Sequence, residues 1–105
     1  MARGFSSYDW CDYLNREDLK DLRNYQRDLL GKAGYMRIDT RALINTHRKS
    51  LISYYTEVCT FRDGKLVRLW DGWSSTTAKH VDMFCDYYRL PRVCKKDWLA
   101  MPIGA

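Results

Sequence analysis

Apolar and polar positions alternate along this chain with two different periods, helical at its two ends and strand-like between them. In "NREDLKDLRNYQRDLLGKAG", Leu19, Leu22, Gln26, Leu29 and Leu30, joined by Tyr25, recur at the spacing of one helix face. Asn15 suits the N-cap, Asp18 follows three residues on, and Gly31 supplies the stop. Arg16, Lys20, Arg23 and Arg27 alternate with Asp21 and Asp28 around the remaining, solvated side. The preceding "SSYDWCDYL" predicts a shorter helix capped by Ser6 or Ser7.

The middle of the chain reads as a hairpin. "LISYYTEVCTF" and "KLVRLW" flank Asp63-Gly64, a dipeptide suited to a type I′ turn because both central positions need positive φ. Such a loop pairs Phe61 with Leu66 and Val58 with Leu69. Tyr54, Val58, Thr60, Val67 and Leu69 then share one face. Tyr55, Glu57, Cys59, Phe61, Leu66, Arg68 and Trp70 share the other. "RALINT" upstream predicts a third antiparallel strand, about the minimum for an independent sheet.

Helical spacing returns in "TAKHVDMFCDYYRL", where Ala78, Val81, Phe84 or Cys85, and Tyr88 form an apolar stripe stopped by Pro91. In the tail "RVCKKDWLAMPIGA", Trp98 and Leu99 are the residues expected to dock on the core. The expected fold class is α+β: a small antiparallel sheet of two to three strands, with the Asp-Gly hairpin, packed against two to three helices. The expected organisation is one domain over 1–105, with a helical part at 1–34, the hairpin and C-terminal helix at 42–90, and a docked tail at 91–105.

Composition narrows the functional classes. At 46% hydrophobic and 14% aromatic, the chain is no disordered segment. Its net charge of +5 is concentrated after residue 31, which suggests an anionic partner, nucleic acid or an acidic protein surface. No apolar signal-peptide core and no run of membrane-spanning length is present, so a cytoplasmic protein without membrane contact is expected. Cys11, Cys59, Cys85 and Cys94 are scattered without Cys-x-x-Cys spacing. They read as reduced, core-type cysteines, with no metal and no cofactor expected.

"WDGWSSTTAKH" holds four consecutive hydroxyl residues, and a helix start needs one cap. Thr77 or Ser75 is the expected cap, which puts Lys79 and His80 in the first turn. Spare hydroxyls, free amides and cations at a helix start can hold an anion, making Ser74, Ser75, Thr76, Lys79 and His80 anion candidates. Local bonding of those hydroxyls to the turn competes with that reading.

Two segments also resemble a family of small proteins of bacteriophages and other mobile elements that has no assigned chemistry. The first is Ser53, Tyr54, Thr56 and Val58, followed by Gly64. The second is Trp73, Ser74, Thr76, Thr77, Lys79, His80 and Phe84. The resemblance spans about residues 51–84, with Cys59 and Trp73 departing from the alanine and tyrosine of the pattern. It implies a phage-type accessory protein acting in the cytoplasm of a bacterial host cell.

No nucleophile–base spacing, glycine-rich phosphate loop or H-E-x-x-H motif supports an enzyme. The expected function is non-enzymatic: an accessory protein that binds a host protein or nucleoprotein complex, as a defence inhibitor of anti-CRISPR style. The alternative is a regulatory protein that binds nucleic acid directly. Tyr55, Arg68, Trp70 and Trp73 are the expected partner anchors. Arg48, Lys49, Arg62, Lys65, Lys95 and Lys96 are the expected phosphate or anion contacts.

Overall fold

The computed structural model describes residues 16–104, with side-chain environments from Leu19 onward. The short helix expected before Asn15, the Asn15 cap and Cys11 lie outside the described residues. Helix α1 (Arg16–Leu30) is followed by five strands, β1 (Tyr35–Asp39), β2 (Ala42–Asn45), β3 (Ser50–Ser53), β4 (Thr56–Arg62) and β5 (Lys65–Arg68). Helices α2 (Ser75–Tyr87) and α3 (Lys95–Ala100) complete the order. The strands form one antiparallel meander in the order β1-β2-β3-β4-β5. The class is therefore α+β, with five strands where two to three were expected.

The extra strands arise in two places. Tyr35–Asp39 pairs with β2 and has no counterpart in the sequence reading. The stretch expected as one strand from Leu51 to Phe61 folds back on itself, with Ser53 opposite Thr56 and only Tyr54 and Tyr55 between them. Tyr54 takes a φ of 58°, a turn conformation unusual for an aromatic residue, and burial of its ring against Leu22 of α1 helps hold it there. The Asp63-Gly64 turn forms as expected: both residues have positive φ, and Phe61 lies opposite Leu66.

Register decides which side chains meet. Leu51 pairs with Cys59 and Ile52 with Glu57, so Val58 is an extra residue in β4 and the alternation reverses there. Ala42, Ile44, Leu51, Cys59, Phe61 and Leu66 consequently share the face that packs on Val81, Phe84 and Cys85 of α2 and Trp98 of α3. Each fully buried large side chain in that layer contributes about 1.5–3 kcal/mol. Helix α1 lies over the opposite face, with Tyr25 close to Tyr35, Tyr55 and Glu57.

Local chemistry sets both ends of α2. Ser74 caps α2, its Oγ accepting from the Thr77 amide at 3.0 Å. At the other end Arg89 adopts a φ of 58°, while the amides of Arg89 and Leu90 return to the carbonyls of Asp86 and Cys85. Pro91 then prevents continuation. The tail docks through Trp98, which is buried, whereas Leu99 is exposed. Ile103 bridges to Arg68, and the Gly104 amide donates to the Arg68 carbonyl, so the tail covers part of the outer edge of β5.

Candidate functional site

The two segments singled out by the sequence meet inside the protein. Ser53 at the end of β3 lies beneath α2, with its Oγ 2.8 Å from His80 Nδ1 and 3.3 Å from Thr77 Oγ1. On the other side of the ring, His80 Nε2 is 2.9 Å from Asp39 Oδ2 at the end of β1. An ionised carboxylate only accepts, so Nε2–H donates to Asp39 and Nδ1 accepts from the Ser53 hydroxyl. Thr77 then donates to Ser53, and every proton in the chain points toward Asp39.

A carboxylate, an imidazole and a hydroxyl in this order are also the parts of a nucleophilic relay. Access decides against that use. Ser53 is 3% exposed and His80 is 0% exposed, so no substrate carbonyl reaches the hydroxyl. The network instead ties β1, β3 and α2 together with directional bonds in a buried setting.

That arrangement revises the reading of the hydroxyl run. The cap is Ser74 and not Thr77 or Ser75, because α2 begins one residue after it. Thr77 serves the buried network, Ser75 is exposed, and Thr76 is half-buried. Lys79 and His80 fall in the second turn, beyond the strongest part of the helix dipole, and they point oppositely: Lys79 outward, His80 into the core. With Ser74 and His80 committed to internal bonds, the five anion candidates do not form one site.

Of the expected anchors Tyr55, Arg68, Trp70 and Trp73, the first stands apart, while Arg68 lies beside Trp70 and Trp98 and Trp73 lies beside Trp98 in the core layer. Tyr55, 52% exposed, sits in the β3–β4 turn against Tyr25 of α1, with ring centroids 4.9 Å apart. Arg68 is only 5% exposed and faces the other layer. Its guanidinium donates to the carbonyls of Trp70, Asp71 and Met101 at 2.9, 2.7 and 2.9 Å, with a longer 3.4 Å contact to Leu99. It also stacks near the Trp98 ring, 5.4 Å from the centroid. Trp70 and Trp73 are partly buried against the main core. The bulge at Val58 and the turn at Tyr54-Tyr55 are the reasons: each resets the alternation from which a common face was read.

Four of the basic candidates do come together. The β2–β3 turn lies against β4, since Thr60 Oγ1 donates to the carbonyls of Arg48 and Lys49 and the Phe61 amide donates to Lys49. Asn45 Oδ1 accepts from the His47 and Arg48 amides and fixes that turn from within. Arg48 and Lys49 therefore stand beside the β4–β5 hairpin, where Arg62 lies directly opposite Lys65. All four are exposed. Lys49 Nζ sits 5.4 Å above the Phe61 ring, and Arg48 pairs with Glu57 at 3.1 Å. Lys95 and Lys96 are also exposed and lie in the first turn of α3.

Next to the hairpin tip is a groove of about 420 Å³ between β5, the segment after α2, and α3. Leu66, Leu90, Pro91, Val93 and Met101 line it. The sequence contained no signal for it, because its walls come from three separated segments.

The two buried thiols, Cys59 and Cys85, offer no comparable site, and Cys94, expected as a core-type cysteine, is exposed. Burial raises Cys59 well above its ordinary value and Cys85 to about 11, which keeps both protonated. Among the described residues no three His, Cys, Asp or Glu side chains are grouped to hold a metal ion. Among those residues, too, no helix is long and apolar enough to cross a membrane.

The chain belongs to DUF8033, a family of unknown function, whose profile matches residues 18–100. No curated protein and no solved structure shows significant similarity to it.

Proposed function

We propose that this protein acts by binding, with the basic sheet end formed by Arg48, Lys49, Arg62 and Lys65 as its docking surface for an acidic protein partner. The observation that carries the reading is the placement of Arg62 directly opposite Lys65. Like charges facing each other across a hairpin are destabilising, and a hairpin serving structure alone gains nothing from them. Hydrogen-bonded turns fix the backbone beneath the neighbouring cations, which lowers the ordering cost of an encounter.

A protein partner is favoured over naked nucleic acid for two reasons. The aromatic-basic platform suited to stacking bases is not assembled, since Arg68 is buried and Tyr55 lies elsewhere. Asp63 sits at the tip of the hairpin and Glu57 pairs with Arg48, so acids interrupt the patch. The accessory-protein context, with a host protein or nucleoprotein as target and defence inhibition as outcome, rests on the resemblance of residues 51–84 alone.

The test is capture from a nuclease-treated bacterial lysate by wild type and by a variant with Arg48, Lys49, Arg62 and Lys65 all changed to Glu. The expected result is a protein retained by wild type and lost by the variant, with both giving the same circular dichroism. Tight binding to naked DNA or RNA that weakens steeply with salt, and no retained protein, would reverse the ranking.

A further inference from the structure

We infer that the groove beside the hairpin tip receives a large apolar side chain from an acidic segment of the partner, an inference that rests on the docking surface proposed above. The groove and the basic sheet end are continuous, because Lys65 belongs to both. Its floor is apolar, and its volume of about 420 Å³ lies toward the small end of the roughly 300–1,000 Å³ usual for ligand pockets. That suits one or two bulky side chains better than a whole cofactor.

Charge at the rim selects the flanking residues of the guest. Lys65 has no acidic partner among the described residues and is exposed at the edge of the groove. Arg92 is already paired with Asp86 through two bonds, at 3.1 and 2.6 Å, so its charge is answered within the chain. Asp97, on the α3 side, disfavours an acid there, so the acidic flank of the guest is expected over Lys65 and toward Arg62. The groove is also preformed. The returning amide of Leu90 and the ring of Pro91 fix one wall, and the tight Asp63-Gly64 turn fixes the end of another. A rigid apolar slot with a cationic lip gives an anchor side chain a large share of its binding energy.

The experiment uses two synthetic peptides on the full chain, one with a tryptophan between glutamates and one with alanine in its place. Amide chemical shifts are followed by NMR. The tryptophan peptide is expected to shift Leu66, Leu90 and Val93 and to bind about thirtyfold more tightly than the alanine peptide. Lys65→Glu should weaken it, and Val93→Trp, which fills the slot, should abolish it while the remaining amide spectrum stays folded. Should Val93→Trp fail to fold, the peptide pair and Lys65→Glu decide the question alone. Absence of binding at millimolar peptide, or shifts produced by an RNA oligonucleotide and not by peptide, would overturn the inference. Equal binding of both peptides, lost on reversing Arg48 and Lys49, would remove the groove and leave the basic sheet end standing. Failure of the docking surface itself shows differently, as a lysate protein retained undiminished by the charge-reversed variant.

Discussion

His80 Nε2 lies 2.9 Å from Asp39 Oδ2, joining the middle of α2 to the end of β1 across 41 positions of chain. Both groups are shifted by this contact and by their burial. Desolvation pushes His80 below its ordinary value of 6.5, against the pull of the Asp39 hydrogen bond and charge, with Lys79 and Arg41 adding to the fall. Burial alone would raise Asp39, but the His80 bond and charge, the Thr40 amide and Lys79 carry it below its ordinary value.

These directions predict acid sensitivity in two stages. The unfolded chain takes up a proton at His80 before the folded chain does, so stability falls as the pH drops below about 6.5. Asp39 contributes stability that is present above its unfolded value and is lost only as pH falls through its lower folded one. The melting temperature is expected to decline from about pH 7.5 to about pH 5. His80→Gln should start lower and show a flatter profile over that interval. A variant profile as steep as wild type would assign the acid sensitivity to other groups.

The cap makes a prediction that separates neighbouring hydroxyls. Ser74→Ala removes the acceptor for the Thr77 amide and should cost about 0.5–2 kcal/mol. Ser75→Ala, at an exposed position with no such role, should stay within about 0.5 kcal/mol of wild type. Urea midpoints of the two variants check the assignment, and equal losses would contradict it.

What the chain disclosed in advance follows from how local each signal is. Helix α1 from Arg16, the Asp63-Gly64 turn and the apolar stripe of α2 are written in neighbouring residues and were legible. The Tyr54-Tyr55 turn was not, because two residues of high strand propensity replace the Gly, Asn or Asp that usually marks a turn. Strand β1 was missed for a related reason: it lies between the end of α1 and a tight turn, and its partner β2 supplies much of its definition. The buried network has one half-legible sign, since Ser53 and His80 both fall within the two segments that carry the family resemblance. Their 27-residue separation, and the distant origin of Asp39, left the pairing itself beyond any local pattern. Arg68 misled through its charge, which suggests a surface until its carbonyl acceptors are seen.

Arg68 is accordingly predicted to act on stability. Truncation to Ala would strand the carbonyls of Trp70, Asp71 and Met101 in a largely closed setting and expose the Trp98 face. The expected loss is about 2–4 kcal/mol. Arg68→Lys should recover only part of it, because one ammonium cannot span acceptors reached by the two sides of a planar guanidinium. Chemical denaturation measures both. An Arg68→Ala protein with an unchanged midpoint would return the residue to the list of interface candidates.

The tightest approach in the same region gives the last prediction. A Cβ at Gly72 would lie 2.4 Å from the Trp70 ring, well inside contact distance. The ring cannot swing away freely, because it packs on the main core. The Gly72 carbonyl is also committed, accepting from Trp98 Nε1 at 2.8 Å. Moving the loop to relieve the clash would therefore lengthen the bond that seats α3, and moving the ring would open a gap beside the core. Gly72→Ala is expected to cost about 1–3 kcal/mol by overpacking, with a red shift in tryptophan emission as the indoles gain water. The double change Gly72→Ala with Trp70→Leu should recover part of the loss, since the smaller side chain removes the clash. If Gly72→Ala alone keeps both the wild-type midpoint and emission, the loop has more freedom than this contact allows.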